Sequence, residues 1–497
     1  MSTRTPFCVR GLFIAAVAAC FLFAALAAAQ VSLTQLSQDT FTDSASQHDS
    51  EVEPSTFTYG STIVAAFQVA RIYGGGGADI GFATSTNGGT TWTNGYLPGI
   101  TIYEGNGLND AASDASVAYD ALHNVWLISV LPIGSVNTAV SVSRSTDGIN
   151  WNNPVSVTTQ GSPDKNWIVC DGTATSPYYG HCYSEWDDTS QDDLIEMSTS
   201  TDGGMTWGPE MHTAASDYGI GGVPQVLPNG TVVVPINGFN GDVIAFTSTN
   251  GGKSWNKAVN VASDDTHYEG GDLRSAGLIS SAIDAKGKIY VAWSDCRYRT
   301  GCAANDIVYS TSKNGTKWTA VKRVPIDAVT STVDHFITGL GITPGTAGAK
   351  AHLALAYYYY PQTNCNSNCQ LYAGFIQSST AGKTWATPVT LDGPMQLTWL
   401  PNTFSGYMVA DYISVGFGNG KAFPVFAAAQ ANTGTLLHEA IYTTTTGQDV
   451  SQAEDETLTA EGDLPVPNAH SDHGPREYLD QDNRIPVSGQ RPPSERD

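Results

Sequence analysis

Six short stretches of this chain repeat one pattern, and that pattern limits the chain to a fold built from hairpins. It reads Ser85-Thr-Asn-Gly-Gly-Thr-Thr-Trp92, Ser145-Thr-Asp-Gly-Ile-Asn-Trp151 and Ser200-Thr-Asp-Gly-Gly-Met-Thr-Trp207. It recurs as Ser248-Thr-Asn-Gly-Gly-Lys-Ser-Trp255, Ser312-Lys-Asn-Gly-Thr-Lys-Trp318 and Ser378-Ser-Thr-Ala-Gly-Lys-Thr-Trp385, the last with Thr380 in place of Asp or Asn. Asp or Asn folds its side chain back onto the backbone, Gly supplies positive φ, and Trp is expected to pack between neighbouring sheets.

Each motif follows a strand such as Ile80–Thr84 or Val243–Thr247, and a more apolar strand lies ahead of that one. Seven of these more apolar strands can be counted: Thr62–Ala70, Asn124–Pro132, Gly180–Asp188, Thr231–Phe239, Lys288–Cys296, Ala351–Tyr359 and Lys421–Ala429. The seventh is followed by Ala440–Thr444 but lacks a fourth strand, which Val31–Leu36 resembles. The expectation is an all-β propeller of four-stranded antiparallel blades closed by the N-terminal strand, with seven blades favoured and six the alternative. The 51 Gly, 22 Tyr and 11 Trp, with no long window of helical period, agree with an all-β chain.

The flanks read differently. Residues 1–29 look like an export signal, with Arg4 and Arg10 ahead of an apolar run and Ala27-Ala28-Ala29 before Gln30. Residues 30–446 hold the repeat, and 447–497 form an acidic, Pro-rich tail expected to be disordered. Past the signal, six cysteines fall into close pairs, Cys170 with Cys182, Cys296 with Cys302 and Cys365 with Cys369, which suggests three short disulfides in an oxidising compartment. A formal net charge of −24 argues against nucleic acid as a partner. A secreted monomer, free of the membrane after cleavage and acting on a glycan or polysaccharide, is the expectation. No cofactor motif is present. Loop carboxylates are many, but no spaced Asp-x-Asp-x-Asp loop marks a Ca²⁺ site, so no metal is assigned.

If the motifs join third to fourth strands, the loops at the opposite end converge on the central funnel. Four of the six arginines between residues 31 and 446 fall there, namely Arg71, Arg274, Arg297 and Arg299. Carboxylates including Glu53, Asp114, Asp164, Glu185, Asp187, Glu269 and Asp411 join them, with His335, Tyr268, Tyr357–Tyr360 and Tyr412. Arginine clamps carboxylates and aromatic rings cover sugar faces, so this inventory suits a sugar, especially an acidic one. Structural readings stand beside it: Arg297 and Arg299 can be loop ion pairs with Asp295, and Asp114 or Asp411 a backbone cap.

The repeated motif is the Asp-box, or BNR repeat, and over residues 31–446 the chain resembles the sialidase (neuraminidase) superfamily. The resemblance implies Arg71, Arg274 and Arg297 as a carboxylate clamp, Tyr412 as nucleophile with Glu269 as its partner, and Asp114 as acid/base. Arg71 stands in Val69-Ala70-Arg71-Ile72-Tyr73, where the family usually carries Tyr/Phe-Arg-Ile-Pro, and the classical domain has six blades. The function expected first is an extracellular, exo-sialidase-like glycosidase that releases a terminal, acidic sugar. A non-catalytic glycan- or protein-binding propeller and a uronate lyase using His335 or a Tyr as base are the alternatives. Converging arginines favour the enzymes and scattered ones favour binding.

Overall fold

The computed structural model describes residues 1–2, 31–134, 139–275, 277–451 and 455–459. Apart from Met1 and Ser2, the export signal read at 1–29 lies outside the described residues, as does 460–497 of the segment read as a tail.

The described chain is almost entirely antiparallel β-structure. Four sheets have four strands in sequence order or nearly so, from Pro163–Cys170, Gln225–Val226, Ser280–Ile283 and Asp334–Ile342 onward. An eight-stranded sheet divides at the single pair Gly77↔Ala112 into two four-stranded halves, beginning at Glu51–Tyr59 and Ala111–Asp120. In the last sheet, Ser414–Gly418, Lys421–Ala429 and Glu439–Thr444 are completed by the N-terminal strand Leu33–Gln35, paired as Leu33↔Thr444 through Gln35↔Tyr442. These sheets make up seven four-stranded units, numbered one to seven below from Glu51 onward. The more apolar second strands lie where the sequence places them, from Thr62–Arg71 in unit one to Lys421–Ala429 in unit seven.

The repeated motif closes each hairpin as its chemistry requires. In the third copy Ser200 Oγ donates to Asp202 Oδ1 (2.9 Å) and accepts from Gly204 N (2.9 Å), while Met205 N and Thr206 N donate to Asp202 Oδ1 (3.0 and 2.9 Å). Burial opposes ionisation of Asp202, but the bonds from Thr206, Ser200 and Met205 outweigh it and hold the carboxyl below its usual range. In the sixth copy Thr380 Oγ1 takes the role of the missing carboxylate, accepting from Thr384 N at 2.9 Å. The motif tryptophans pack between units, with Trp151 on Phe82 at 5.9 Å, Trp255 on Tyr183 at 6.1 Å and Trp385 on Tyr309 at 6.2 Å between centroids. Such pairs add about 0.5–1.5 kcal/mol each beyond area burial.

The three disulfides are formed as the cysteine spacing suggests. Among the described residues no helix is long and apolar enough to cross a membrane. Within the segment read as a tail, Gln448–Asp449 pairs with Lys421 and Ala422, Val450 is buried, and Asp455–Thr459 pairs with Thr384–Trp385.

Candidate functional site

The first strands of the units carry a recurring backbone feature. Each of four strands has a β-bulge, between Val52/Ser55, Ser113/Ser116, Asp164/Trp167 and Phe336/Thr338. At each bulge one residue takes positive φ: Glu53 (57°), Asp114 (48°), Lys165 (47°) and Ile337 (45°). Gly221 (70°) and Gly277 (58°) stand in the corresponding stretches ahead of units four and five, where glycine adopts this conformation without strain. A bulge breaks the in–out alternation of a strand and re-aims the extra side chain. For a residue with a Cβ the left-handed conformation costs about 1–2 kcal/mol.

In the first three units the re-aimed residue is ionisable, and the three meet. Lys165 Nζ lies 2.6 Å from Asp411 Oδ2, 3.3 Å from Asp114 Oδ1 and 3.5 Å from Glu53 Oε1. Arg274 grips Asp411 with both Nε (2.9 Å to Oδ1) and Nη2. Gln68 Nε2 donates to Glu53 Oε2 and, at 3.0 Å, to Ser113 Oγ. All these groups are buried. Burial drives the Glu53 carboxyl well above the usual carboxylate range, with Lys165 only partly opposing it. Burial opposes the charge on Asp411, but Arg274 and Lys165 outweigh it and hold that carboxyl ionised. For Lys165, desolvation is outweighed by Asp114, Asp411 and Glu53, which keep the ammonium charged. Two cations thus face Asp114 and Asp411 in an internally matched cluster.

Tyr412 borders the cluster. Its hydroxyl donates to Ala115 O at 3.4 Å, and its ring meets Trp167 edge-on at 5.2 Å. Burial, followed by Glu53 and Asp114, raises its pKa, which is the opposite of nucleophile activation. A cavity of about 10 Å³ beside Asp114, Lys165, Trp167 and Tyr412 has room for one water molecule. Trp167 and Tyr412 also line a cavity of about 430 Å³ to which all seven units contribute residues, among them Phe57, Val117, Ile168, Gln225, Ile342 and Phe417.

Of the residues singled out from sequence, Glu53, Asp114, Arg274, Asp411 and Tyr412 come together here, whereas Arg71, Arg297, Arg299, Glu269 and His335 sit elsewhere. Arg71 is fully buried, donating to Gly76 O (2.6 Å) and Met408 Sδ (3.1 Å). Arg297 pairs with Asp295, two residues away, through Nε (2.8 Å) and Nη2 (2.6 Å). Arg299 holds Asp306 through Nε (2.9 Å), Asp327 through Nη2 (2.7 Å), and the carbonyls of Ala328 and Ser331. Glu269 accepts from Asn305 Nδ2 at 2.9 Å, and burial, then Asp334, pushes its carboxyl up to about 8. His335 is buried behind Tyr357 and Asp327. Lys165 was not among the residues picked out from sequence. Its signal was an ionisable residue opening an inner strand, as Glu53 and Asp114 do, and it is also the first lysine of the chain.

No family model matches the chain, and no curated protein does. Solved structures do. The Hadza microbial sialidase Hz136 matches at 16% identity and a TM-score of 0.42, over 63% of this chain and 64% of that one. The NanB sialidase of Streptococcus pneumoniae, bound to a chlorobenzylammonio-ethanesulfonate, matches at 15% and 0.40, over 82% of this chain and 70% of that one. A protein of unknown function from Dyadobacter fermentans matches at 13% and 0.46, over 70% of this chain and 98% of that one. The chain is similar to these three structures over the shares just given. It spans less than two thirds of the length of Hz136, and at such identities no residue's role is transferred.

Proposed function

We propose that this chain is a secreted, seven-bladed, sialidase-like propeller that binds an extracellular glycan on its loop-bearing face and does not cleave it through an arginine clamp. The observation that carries this reading is where the arginines spend their charge. Arg297 and Arg299 are each paired with carboxylates of their own loops or neighbouring strands, Arg71 is buried against a carbonyl and a thioether, and Arg274 is matched by Asp411. A clamp needs guanidinium groups that converge with their charge still available to the ligand. The water-sized cavity at Asp114 and Tyr412 is far smaller than a sugar ring.

Three tyrosines on the loop side, Tyr73, Tyr218 and Tyr268, are more than two-fifths exposed, and exposed rings of this kind stack on sugar faces. With Arg274, Arg297 and Arg299 each matched by a carboxylate, a neutral glycan is favoured over an acidic one. Three disulfides support the secreted reading. A glycan array probed with the full chain and with Tyr218→Ala and Tyr268→Ala tests it: retained binding by wild type and loss of about 10-fold or more in a variant supports the reading, and no glycan bound by folded protein overturns it.

The meeting of Asp114, Tyr412 and Arg274 favours a second reading, a glycosidase centre at the same cluster. Turnover that disappears in Asp114→Asn would support it over binding alone.

A further inference from the structure

Charge is sorted along the strands of units four to six. Residues 253–383 hold nine of the chain's eleven lysines. Lys253 and Lys257 flank the motif tryptophan Trp255, Lys313 and Lys317 stand in the fifth motif, and Lys383 stands in the sixth. Lys286 and Lys288 occupy the turn between the first two strands of unit five, and Lys350 the corresponding loop of unit six. In an antiparallel four-stranded unit that turn and the motif share one end. Lys322 follows in the fourth strand of unit five.

The same stretch holds nine carboxylates. Eight of them, from Asp264 to Asp334, stand at the opposite, loop-bearing end, in connections between units or at the strand ends that meet them. There Arg297, Arg299 and Arg323 are paired with carboxylates. The ninth, Asp284, lies at the lysine end but is buried, and its oxygens accept from Lys286 N (2.8 Å), Lys288 N (2.9 Å) and Gly348 N (2.8 Å).

Among the described residues, lysine ion pairs are formed by Lys165 and Lys421 and by none of these nine. Seven of the nine are exposed, all but Lys288 and Lys322. Lys288 lies over the Tyr290 ring, 4.4 Å from its centroid, and its pKa is lowered by burial, which Asp284 opposes, and then by Lys322 and Lys313. The ammonium groups therefore crowd one another. The patch is continuous across units: Ala285 N donates to Thr346 O (3.0 Å), and Tyr309 of unit five donates to Gly382 O in the sixth motif (3.0 Å). Strands such as Ile289–Asp295 hold the two ends about 20 Å apart, well beyond the roughly 8 Å over which exposed charges act at physiological salt. The overall charge of −24 thus does not describe this end.

We propose that the motif-bearing end of units four to six binds an acidic polysaccharide, its carboxylate or sulfate groups met by these lysines and its hydroxyls by the exposed Ser254 and Thr316 among them. Lysine ammoniums are compact, hydrated point charges that suit such groups. Among the described residues no large exposed apolar side chain lies in the patch to enter a bilayer. No exposed arginine or aromatic ring lies there either, to read or stack on the bases of a nucleic acid. The surface is at the other end from the loop-bearing face and does not rest on a glycan bound there.

The test is binding of the full chain to heparin and to polygalacturonate, with dextran as the neutral control, at about 50 and about 300 mM NaCl. Saturable binding to at least one acidic polymer is expected, about 10-fold or more weaker at the higher salt, with none to dextran. The triple variant Lys286→Glu, Lys313→Glu, Lys317→Glu should lose about 10-fold or more in affinity at an unchanged Tm, because all three side chains are exposed. The triple variant Lys286→Arg, Lys313→Arg, Lys317→Arg should bind as wild type does. Wild type that binds neither acidic polymer at low salt overturns the proposal. So does binding that survives in the charge-reversed variant, or tighter binding to duplex DNA or phosphatidylserine vesicles than to either polysaccharide.

Discussion

Replacing Glu51 with Gln should flatten the dependence of stability on pH between acid and mildly alkaline solution. Glu51 opens the first strand of unit one and is 2% exposed. Its Oε2 accepts from Ser37 Oγ at 2.6 Å, and that hydroxyl accepts from Ile441 N at 2.9 Å, so one carboxyl joins the N-terminal segment, unit one and unit seven. Burial raises its pKa to about 8, against the hydrogen bond from Ser37 and with help from Asp39 and Asp49. Between its ordinary value of 4.5 and about 8 the native state therefore holds a proton that the unfolded chain has lost. Stability from this group is fully present below the unfolded value and falls as pH rises through the folded one. At 1.36 kcal/mol per pH unit the loss is roughly 3–5 kcal/mol across that window. Urea unfolding at intervals across the window should show wild type weakening with pH, and Glu51→Gln doing so less by about that amount. The two proteins should be similar in acid, with the variant ahead in mild alkali. Parallel profiles would refute the reasoning, because they would mean that Glu51 is already ionised in the folded chain.

Other consequences are smaller or more local. Lys165→Met leaves Asp411 and Asp114 facing Arg274 alone in a buried setting, and should cost about 3–5 kcal/mol in denaturant unfolding at neutral pH. Ala381 occupies the turn position with φ of 61° where other copies of the motif carry Gly, so Ala381→Gly should raise stability by roughly 0.5–1 kcal/mol in thermal unfolding despite the entropy of glycine. Asp202→Ala removes the acceptor for Met205 N, Thr206 N and Ser200 Oγ, and should cost about 1–2 kcal/mol by the same measurement.

What sequence discloses about this chain follows the range of the interactions. The hairpin motif is local: Ser, Asp or Asn, Gly and Trp act within eight residues, so the repeats, the second strands and the N-terminal strand completing the last sheet were legible. The cysteine pairs were legible for the same reason, at separations of 4 to 12 residues. Five members of the central cluster were placed on the funnel face, but Lys165 and the pairings were not legible, because Lys165 meets Asp411 across 246 residues and the bulges that aim Glu53, Asp114 and Lys165 leave no turn signature. Arginine positions were legible but their partners were not. Arg297 turns back to Asp295 in its own loop, and Arg299 reaches Asp306 and Asp327 in preference to the funnel. A loop position reports where a side chain starts, and an arginine side chain is long enough to end elsewhere.

The central claim is that the loop face binds a glycan without an arginine-clamped hydrolytic centre, and turnover of a fluorogenic glycoside panel by the full chain, sialosides and uronides included, tests it most directly. The account predicts no release above background from folded protein, for wild type and Arg274→Ala alike. Release by wild type that vanishes in Arg274→Ala, with the variant still folded, would contradict it and identify the cluster around Asp411 as a working active site.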